Sequence, residues 1–483
     1  MIPTDSNAGG GVSTKLAPNT LQQKMKYELS KATKCADDTF VTPSLAGTEF
    51  LPFQAAGIHY ATYCEHTLFA DPPGLGKTIQ SIGHANAEKF QSGLILCPAS
   101  LQHNWKREIE KWSTVPHKVE IYHPKTFDVR GDRSLLIFPY SYASMLGAVK
   151  QVLEWQKYRG KIDWMSLDEV HYLKNVDAKR TKYVFAKNGL IAKVKRVHAL
   201  SGTPIVNRPM ELFPVIANLS PESIGNMSRF EYGIHFCAGF KGPWGWDFSG
   251  ASNLKLLGMK LRSNFMVRRN KEDVLKDLPD KYPPNLVYID PTKKAEGLIR
   301  NFKTLDANLA IKRAVTADFT EISTLRRELG IEKIETAVEY IKTQLEGGHE
   351  KIIVFAHHKE VIAGLEKGLS EFRPVSVTGD TPTLERQQRV DRFQQDKTTR
   401  LFIASIGAGA VGFTLTAASF VIFVEFSWVP GENEQATDRA HRIGQTKAVQ
   451  VDFLVHEGSL DERVLKVLLG KMKAIDEFTK GDS

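Results

Sequence analysis

The stretch Leu68-Phe-Ala-Asp-Pro-Pro-Gly-Leu-Gly-Lys-Thr78 decides how the rest of the chain is read. It joins an apolar run to a segment with helical spacing. Gly76, Lys77 and Thr78 meet the end of the pattern Gly-x-x-x-x-Gly-Lys-Ser/Thr, with Asp71 in the first glycine's place. Gly74, Leu75 and Gly76 offer backbone N–H groups to phosphate oxygens, Lys77 a point charge and Thr78 a hydroxyl for Mg²⁺. An ordinary Pro/Gly turn would use the same residues, so the flanking sequence must choose between the two readings.

Working outward, apolar runs of strand length recur at residues 93–98, 135–138, 164–167 and 197–200, with helical material between them. Such alternation predicts a parallel sheet wrapped by helices, with ligands at the carboxyl ends of the strands. Polar or turn residues follow each run: Cys97-Pro-Ala-Ser100, Pro139-Tyr-Ser141, Asp168-Glu-Val-His171 and Ser201-Gly-Thr-Pro204. Asp168, at a strand end, is placed to hold Mg²⁺ through water, and Glu169 beside it to polarise an attacking water. Together with Lys77 and Thr78 they make a set suited to phosphoryl transfer from ATP. Gln54, one helix upstream of the loop, carries an amide able to pair with adenine, although a surface glutamine at a helix start reads the same way.

The rhythm breaks over residues 205–345. This stretch holds the aromatics Phe230, Tyr232, Phe236, Phe240, Trp244 and Trp246, then charged helical segments. Base stacking is open to these rings, but core packing is the expected role. Leu278-Pro-Asp-Lys-Tyr-Pro-Pro284 is the strongest linker signal. From residue 351 the apolar runs resume, at 352–355, 401–404, 420–424 and 451–455, without a second phosphate loop. Helical spacing would bring Gln435, Arg439 and Arg442 to one face, either as a solvated basic stripe or as cations for a γ-phosphate. Ser459-Leu-Asp-Glu462 is a capping box opening a final helix.

Over its 483 residues the chain is 42% hydrophobic, with 64 Lys and Arg against 55 acidic residues, a formal charge of +9. A polyanionic partner suits that balance without being required by it. The four cysteines show no Cys-x-x-Cys spacing, which argues for a reduced setting and against structural zinc. No run reaches the roughly 20 apolar residues of a membrane span. The expectation is an intracellular, soluble monomer, of cytoplasm or nucleoid in a prokaryote or virus and of the nucleus in a eukaryote. Residues 1–45 read as a flexible arm with a weakly helical lead-in.

Taken in order, the motifs resemble the SWI/SNF-type branch of helicase superfamily two over residues 50–473. They are Gln54, residues 74–78, Cys97-Pro-Ala-Ser-Leu101 with Trp105, Asp168-Glu-x-His171, Leu200-Ser-Gly-Thr-Pro204, Val267-Arg-Arg269 with Leu278-Pro279, Gly379 with Arg386, Gly409-x-x-Gly412 with Leu415-Thr-Ala-Ala418, and Gln435 through Gln445. The ending Asp438-Arg-Ala-His-Arg-Ile-Gly-Gln445 is the most diagnostic. His171-Tyr-Leu-Lys-Asn175, Arg208-Pro-Met-Glu-Leu212 and Val354-Phe-Ala-His-His-Lys359 resemble its annealing-helicase branch.

The resemblance implies an α/β fold: two RecA-like parallel-sheet lobes with helical protrusion insertions and a C-terminal brace helix. Lobe one would span 46–278, with an insertion from about 205. A linker and protrusion would occupy 279–345, and lobe two 346–483. ATP and Mg²⁺ would lie in the cleft. Lys77, Glu169, Arg439 and Arg442 would be catalytic, with Arg442 the stronger finger candidate. Gln54, Asp71, Gly74, Leu75, Gly76, Lys77, Thr78, Gly412 and Gln435 would hold the nucleotide, and Thr78 and Asp168 the metal. Residues 201–203 would couple hydrolysis to movement. The implied partner is double-stranded or branched DNA, held by its backbone, and the implied activity is DNA-dependent ATP hydrolysis driving translocation. A strand-separating DNA or RNA helicase and an ATP-switched scaffold stand as alternatives.

Overall fold

The computed structural model describes residues 20–243, 245–301, 310, 320–409 and 413–480. Most of the expected N-terminal arm, Trp244, Gly412 and part of the expected protrusion therefore lie outside the described residues. Strands β1 (Thr67–Phe69), β2 (Gly93–Cys97), β3 (Val119–Ile121), β4 (Leu135–Pro139), β5 (Ile162–Asp168) and β6 (Val194–Leu200) are followed by a separate antiparallel hairpin. The hairpin consists of β7 (Phe240–Gly242) and β8 (Gly245–Asp247). With β9 (Met266–Val267), the first six form a parallel sheet of order β3-β4-β2-β5-β6-β1-β9. A second parallel sheet, of order β10-β15-β14-β11-β13-β12, is built from β10 (Asn285–Tyr288), β11 (Ile352–Ala356), β12 (Val375–Val377), β13 (Leu401–Ser405), β14 (Phe420–Phe423) and β15 (Gln450–Val455).

The unbroken apolar runs follow from burial of both sheet faces. Side chains alternate along each strand, so Leu94, Leu96, Leu136 and Phe138 fill one core while Ile95, Cys97, Leu135 and Ile137 fill the opposite one. Ile353, Phe355 and Phe402 against Ile352, Val354 and Leu401 repeat the arrangement in the second sheet. Phe69 and Asp168 both register with Leu200, so the loops after β1, β5 and β6 leave from one edge. That edge carries the phosphate-loop sequence, the Asp-Glu pair and Ser201.

Several details differ from the sequence expectations. Residues 20–45 are not a free arm: Leu21–Leu29 is a helix opened by a Thr20/Gln23 capping box, and the Arg268 amide donates to Ser30 O at 3.1 Å. β10 comes from inside the stretch expected to be linker, and pairs with β15 from Asn285↔Asp452 to Tyr288↔Val455. The helices Thr320–Glu332 and Ile334–Glu346 pack onto the second sheet through Leu325, Leu329 and Ile341 instead of projecting from it. Between them Lys333 is fully buried, its ammonium held by Asp461 at 2.7 Å and Leu454 O at 3.0 Å. The final helix, Leu460–Lys480, buries Leu460, Val464, Leu465 and Leu468 in the second lobe and also packs against Leu254–Arg262 of the first. It is thus a brace across both lobes.

The aromatics of the first insertion do not all enter a core. Tyr232 and Phe236 are buried, but Phe230, Phe240 and Trp246 are 47%, 58% and 47% exposed. The physical reason is local: β7 and β8 pair only with each other, so no sheet covers their ring-bearing surface.

Candidate nucleotide-binding cleft

After β1 the chain turns through Gly74 (φ +90°) and Gly76 (φ +77°) into the helix Lys77–Ala87. Gly76 caps that helix without a side-chain acceptor for its first N–H groups. Uncapped donors at the positive end of a helix dipole suit phosphate. The Lys77 ammonium folds back over the loop, donating to Asp71 O at 2.9 Å and Pro72 O at 3.3 Å. Burial pulls Lys77 down to about 8, against the opposing pull of Glu169, Asp71 and Asp168.

Two expected nucleotide contacts turn out to be committed to the loop itself. The Asp71 carboxylate accepts from the Arg269 amide (2.9 Å), Arg269 Nη2 (2.5 Å) and Gln80 Nε2 (2.9 Å), and the Asp71 and Arg269 side chains are fully buried. Asp71 therefore ties the loop to the end of β9, and only its carbonyl reaches Lys77. Gln54 Nε2 donates to Leu75 O at 3.3 Å while its Oε1 accepts from the Leu51 amide at 3.0 Å. A Cβ on Gly76 would stand 2.5 Å from that nitrogen, which explains the second glycine.

Asp168 ends β5, its Oδ2 accepting from Trp105 Nε1 at 2.8 Å and Oδ1 from the Glu169 amide at 3.0 Å. Burial, then the Glu169 charge, pushes it up to about 7. Glu169 adopts φ +49°, a left-handed conformation costly for a residue with a Cβ and typical of functional sites. Burial raises its pKa, opposed by Lys77 and then Arg439. Its Oε2 is buried without a hydrogen-bond partner among the described residues, 3.4 Å from His171 Nδ1. Such a pair of desolvated carboxylates fits a nearby divalent cation. Among the described residues no cluster of three or more His, Cys, Asp or Glu could hold one. Asp168 and Thr78 would then supply few ligands, as suits Mg²⁺, which keeps water and phosphate oxygens about it.

The second lobe closes this edge. Gln435 lies on the helix Pro430–Thr437, but Arg439 and Arg442 follow it in turns, so the expected single helical face is absent. Turns still bring all three to the cleft: Gln435 Nε2 donates to Glu169 Oε1 at 2.7 Å, and Arg439 stands in the field of Glu169 and Asp168. Burial, then Arg442, lowers Arg439 to about 10. Arg442 lies over the phosphate loop, its Cβ 2.9 Å from where a Cβ on Gly74 would be, and Nη1 donates to Phe413 O at 3.0 Å. Gln445 fixes the turns by donating to Ala418 O (2.9 Å) and Ala440 O (3.0 Å). Lys271 of the first lobe clamps them to it, reaching Asp438 at 2.9 Å and His441 O at 2.6 Å.

Sequence reasoning assigned no role to Trp105, Gln80, Arg269 or Lys271, which orient Asp168, the loop and the clamp. For Trp105 and Arg269 the only signal in the sequence is their place beside Cys97–Leu101 and within Val267–Arg269. Arg268 likewise joins the loop to the segment 201–203, its Nη1 donating to Ala70 O at 2.5 Å and Gly202 O at 3.1 Å.

A model of the SNF2-related domain matches residues 53–336, and one of the helicase conserved C-terminal domain residues 332–444. The SWI/SNF-related matrix-associated actin-dependent regulator of chromatin subfamily A-like protein 1 of Xenopus tropicalis is 34% identical over 448 residues, covering 90% of this chain and 45% of that protein. The DNA annealing helicase and endonuclease ZRANB3 of Homo sapiens is 33% identical over 454 residues, 91% of this chain and 41% of the relative. The chain thus spans less than half the length of these relatives. The Sulfolobus solfataricus SWI2/SNF2 ATPase core in complex with dsDNA superposes with TM-score 0.42 at 24% identity, over 90% of this chain and 94% of that one. With the two family models matched end to end along it, the chain belongs to the SNF2-related family of helicase-type ATPases.

Proposed function

We propose that this chain is a DNA-dependent ATPase that translocates on double-stranded DNA and remodels branched DNA or displaces proteins bound to it. One observation carries the reading: Gln435 and Glu169, from different lobes, meet at 2.7 Å beside a phosphate loop over which Arg442 lies. Catalytic groups divided between two lobes make hydrolysis and lobe movement interdependent. The annealing-helicase name of one relative and the +9 charge support a DNA substrate.

In this reading the loop amides of Gly74, Leu75 and Gly76, with Lys77, cradle the phosphates, and Gln54 braces the loop through Leu75 O. Mg²⁺ held by Asp168 and Thr78 would neutralise charge on the β- and γ-phosphates. Glu169 orients the attacking water, its free Oε2 being the acceptor for that water's proton. Arg442, with Arg439, supplies positive charge as it develops on the transferring phosphoryl. The test is ATP turnover with blunt duplex, forked duplex, single-stranded DNA and RNA. Duplex and forked DNA are expected to stimulate it, single strands and RNA far less. A rate indifferent to every DNA would end the motor reading.

A further inference from the structure

We propose that the exposed aromatic hairpin of the first insertion, β7–β8 with Phe230 and Phe248, is a stacking site for unpaired DNA bases at the branch point. This rests on the DNA-directed reading above and deepens it by naming the part of the substrate that the hairpin takes.

Trp246, on β8, and Phe248, just past its end, hold their rings 6.1 Å apart and parallel to within 5°. Phe230, on the helix Arg229–Phe236, stands edge-on to both, at 4.8 Å and 5.8 Å. Phe248 is wedged in place, since a Cβ on Gly233 would lie 2.4 Å from its ring. The result is a row of oriented ring faces anchored at one end and open at Trp246.

The surroundings favour a polyanion over an apolar peptide. Lys241 lies directly across the hairpin from Trp246, and Arg229 is exposed beside Phe230. A cavity of about 680 Å³ runs from Trp246 and Phe248 to Lys174, Asn175 and Arg208. Its acidic members are engaged: Glu211 pairs with Lys174 at 3.4 Å, so that Arg208, Arg229 and, on the hairpin, Lys241 are the cations that remain among the described residues, and Asp247 accepts from the Ser249 amide at 2.8 Å. Cations beside stacked rings make the combination that holds single strands, phosphate to the charges and bases to the rings.

The cavity is also continuous with the motor. Lys174 and Asn175 continue the loop that carries Glu169, Arg208 lies a short way beyond Ser201–Thr203, and Val429 of the second lobe forms part of the wall. A strand lodged here would touch both loops that respond to nucleotide. Lys174, Asn175, Arg208, Met210 and Glu211, from two of the three stretches with the annealing-branch resemblance, thus line the same cavity as the hairpin.

The full chain is tested as Trp246→Ala, Phe230→Ala and Trp246→Tyr, with a forked duplex whose unpaired tail carries 4-thiothymidine and a blunt duplex of equal length. Both alanine variants are expected to lose about tenfold in affinity for the fork while holding duplex affinity and duplex-stimulated turnover. Trp246→Tyr should retain fork binding, and photocrosslinking of the tail should fall on Trp246. Unchanged fork affinity in both alanine variants, with duplex-stimulated turnover intact, overturns the hairpin and leaves the motor standing. Turnover indifferent to DNA in the unaltered chain, with fork binding still lost on Trp246→Ala, does the reverse. Self-association abolished by Trp246→Ala with fork affinity kept would give the patch to a second copy and overturn the proposal.

Discussion

Gln435 Nε2 donates to Glu169 Oε1 at 2.7 Å, so the second lobe holds one oxygen of the carboxylate and leaves the other, 3.4 Å from His171 Nδ1, without a hydrogen-bond partner among the described residues. Glu169→Gln is expected to bind ATP normally but hydrolyse it about 10²- to 10⁴-fold more slowly, as befits removal of a proton acceptor. Gln435→Ala should cost less, because the carboxylate remains. Steady-state turnover with duplex DNA, beside titration with a fluorescent ATP analogue, separates the two.

Arg442 and Arg439 differ in what they touch. The first crosses Gly74, whereas the second lies in the field of the Asp168–Glu169 pair. Arg442→Ala should lose about 10³-fold or more in turnover with nucleotide affinity kept, the mark of charge used only in the transition state. Arg439→Ala should also shift the pH dependence of turnover, since its charge helps keep Glu169 ionised. Turnover surviving in Arg442→Ala but not in Arg439→Ala would exchange their roles.

Asp71 and Arg269 form a fully buried ion pair beneath the loop. Removing one partner strands the other's charge, so Asp71→Ala is expected to destabilise the first lobe by about 3–5 kcal/mol. Replacing both, as Asp71→Leu with Arg269→Met, should recover much of that. Denaturant titration of the three proteins provides the comparison, and equal losses in the single and double variants would contradict it.

The Lys271–Asp438 clamp has a pH signature. Burial alone would raise the Asp438 pKa, but Lys271 and then Lys281 overcome it and hold the carboxyl at about 2, below its ordinary 3.8. A depressed carboxyl contributes stability that is present above 3.8 and is lost as pH falls through about 2. In Lys271→Met the depression shrinks, so Asp438 takes up its proton at higher pH. Thermal melts of nucleotide-free protein between pH 5 and 2.5 should show the variant losing its clamp contribution earlier.

The sheets were legible because both their faces are buried, leaving uninterrupted apolar runs such as 93–97 and 352–356. Short strands such as β9 and β10 carry too few residues for any period to show. The loop and Asp168-Glu169 were legible as motifs, but Asp71 was misread. Its neighbours Arg269 and Gln80 lie 198 and 9 positions away, and only folding shows that they take its carboxylate. The helical face for Gln435, Arg439 and Arg442 failed because the chain leaves the helix at Thr437, where no Pro or Gly marks an end. The exposed hairpin rings were misread because composition shows aromatics without showing that β7 and β8 join no sheet.

The division of the cleft also bears on how the enzyme is made. A chain emerging from the ribosome completes its first sheet with Lys77, Thr78, Asp168 and Glu169 in place, yet Gln435, Arg439 and Arg442 are still to be synthesised, as is the brace helix that ties the lobes together. Under the proposed mechanism such an intermediate is a half-socket without the second-lobe groups that hydrolysis needs. Translation order would then act as a safety catch, released only when residues 435–480 arrive.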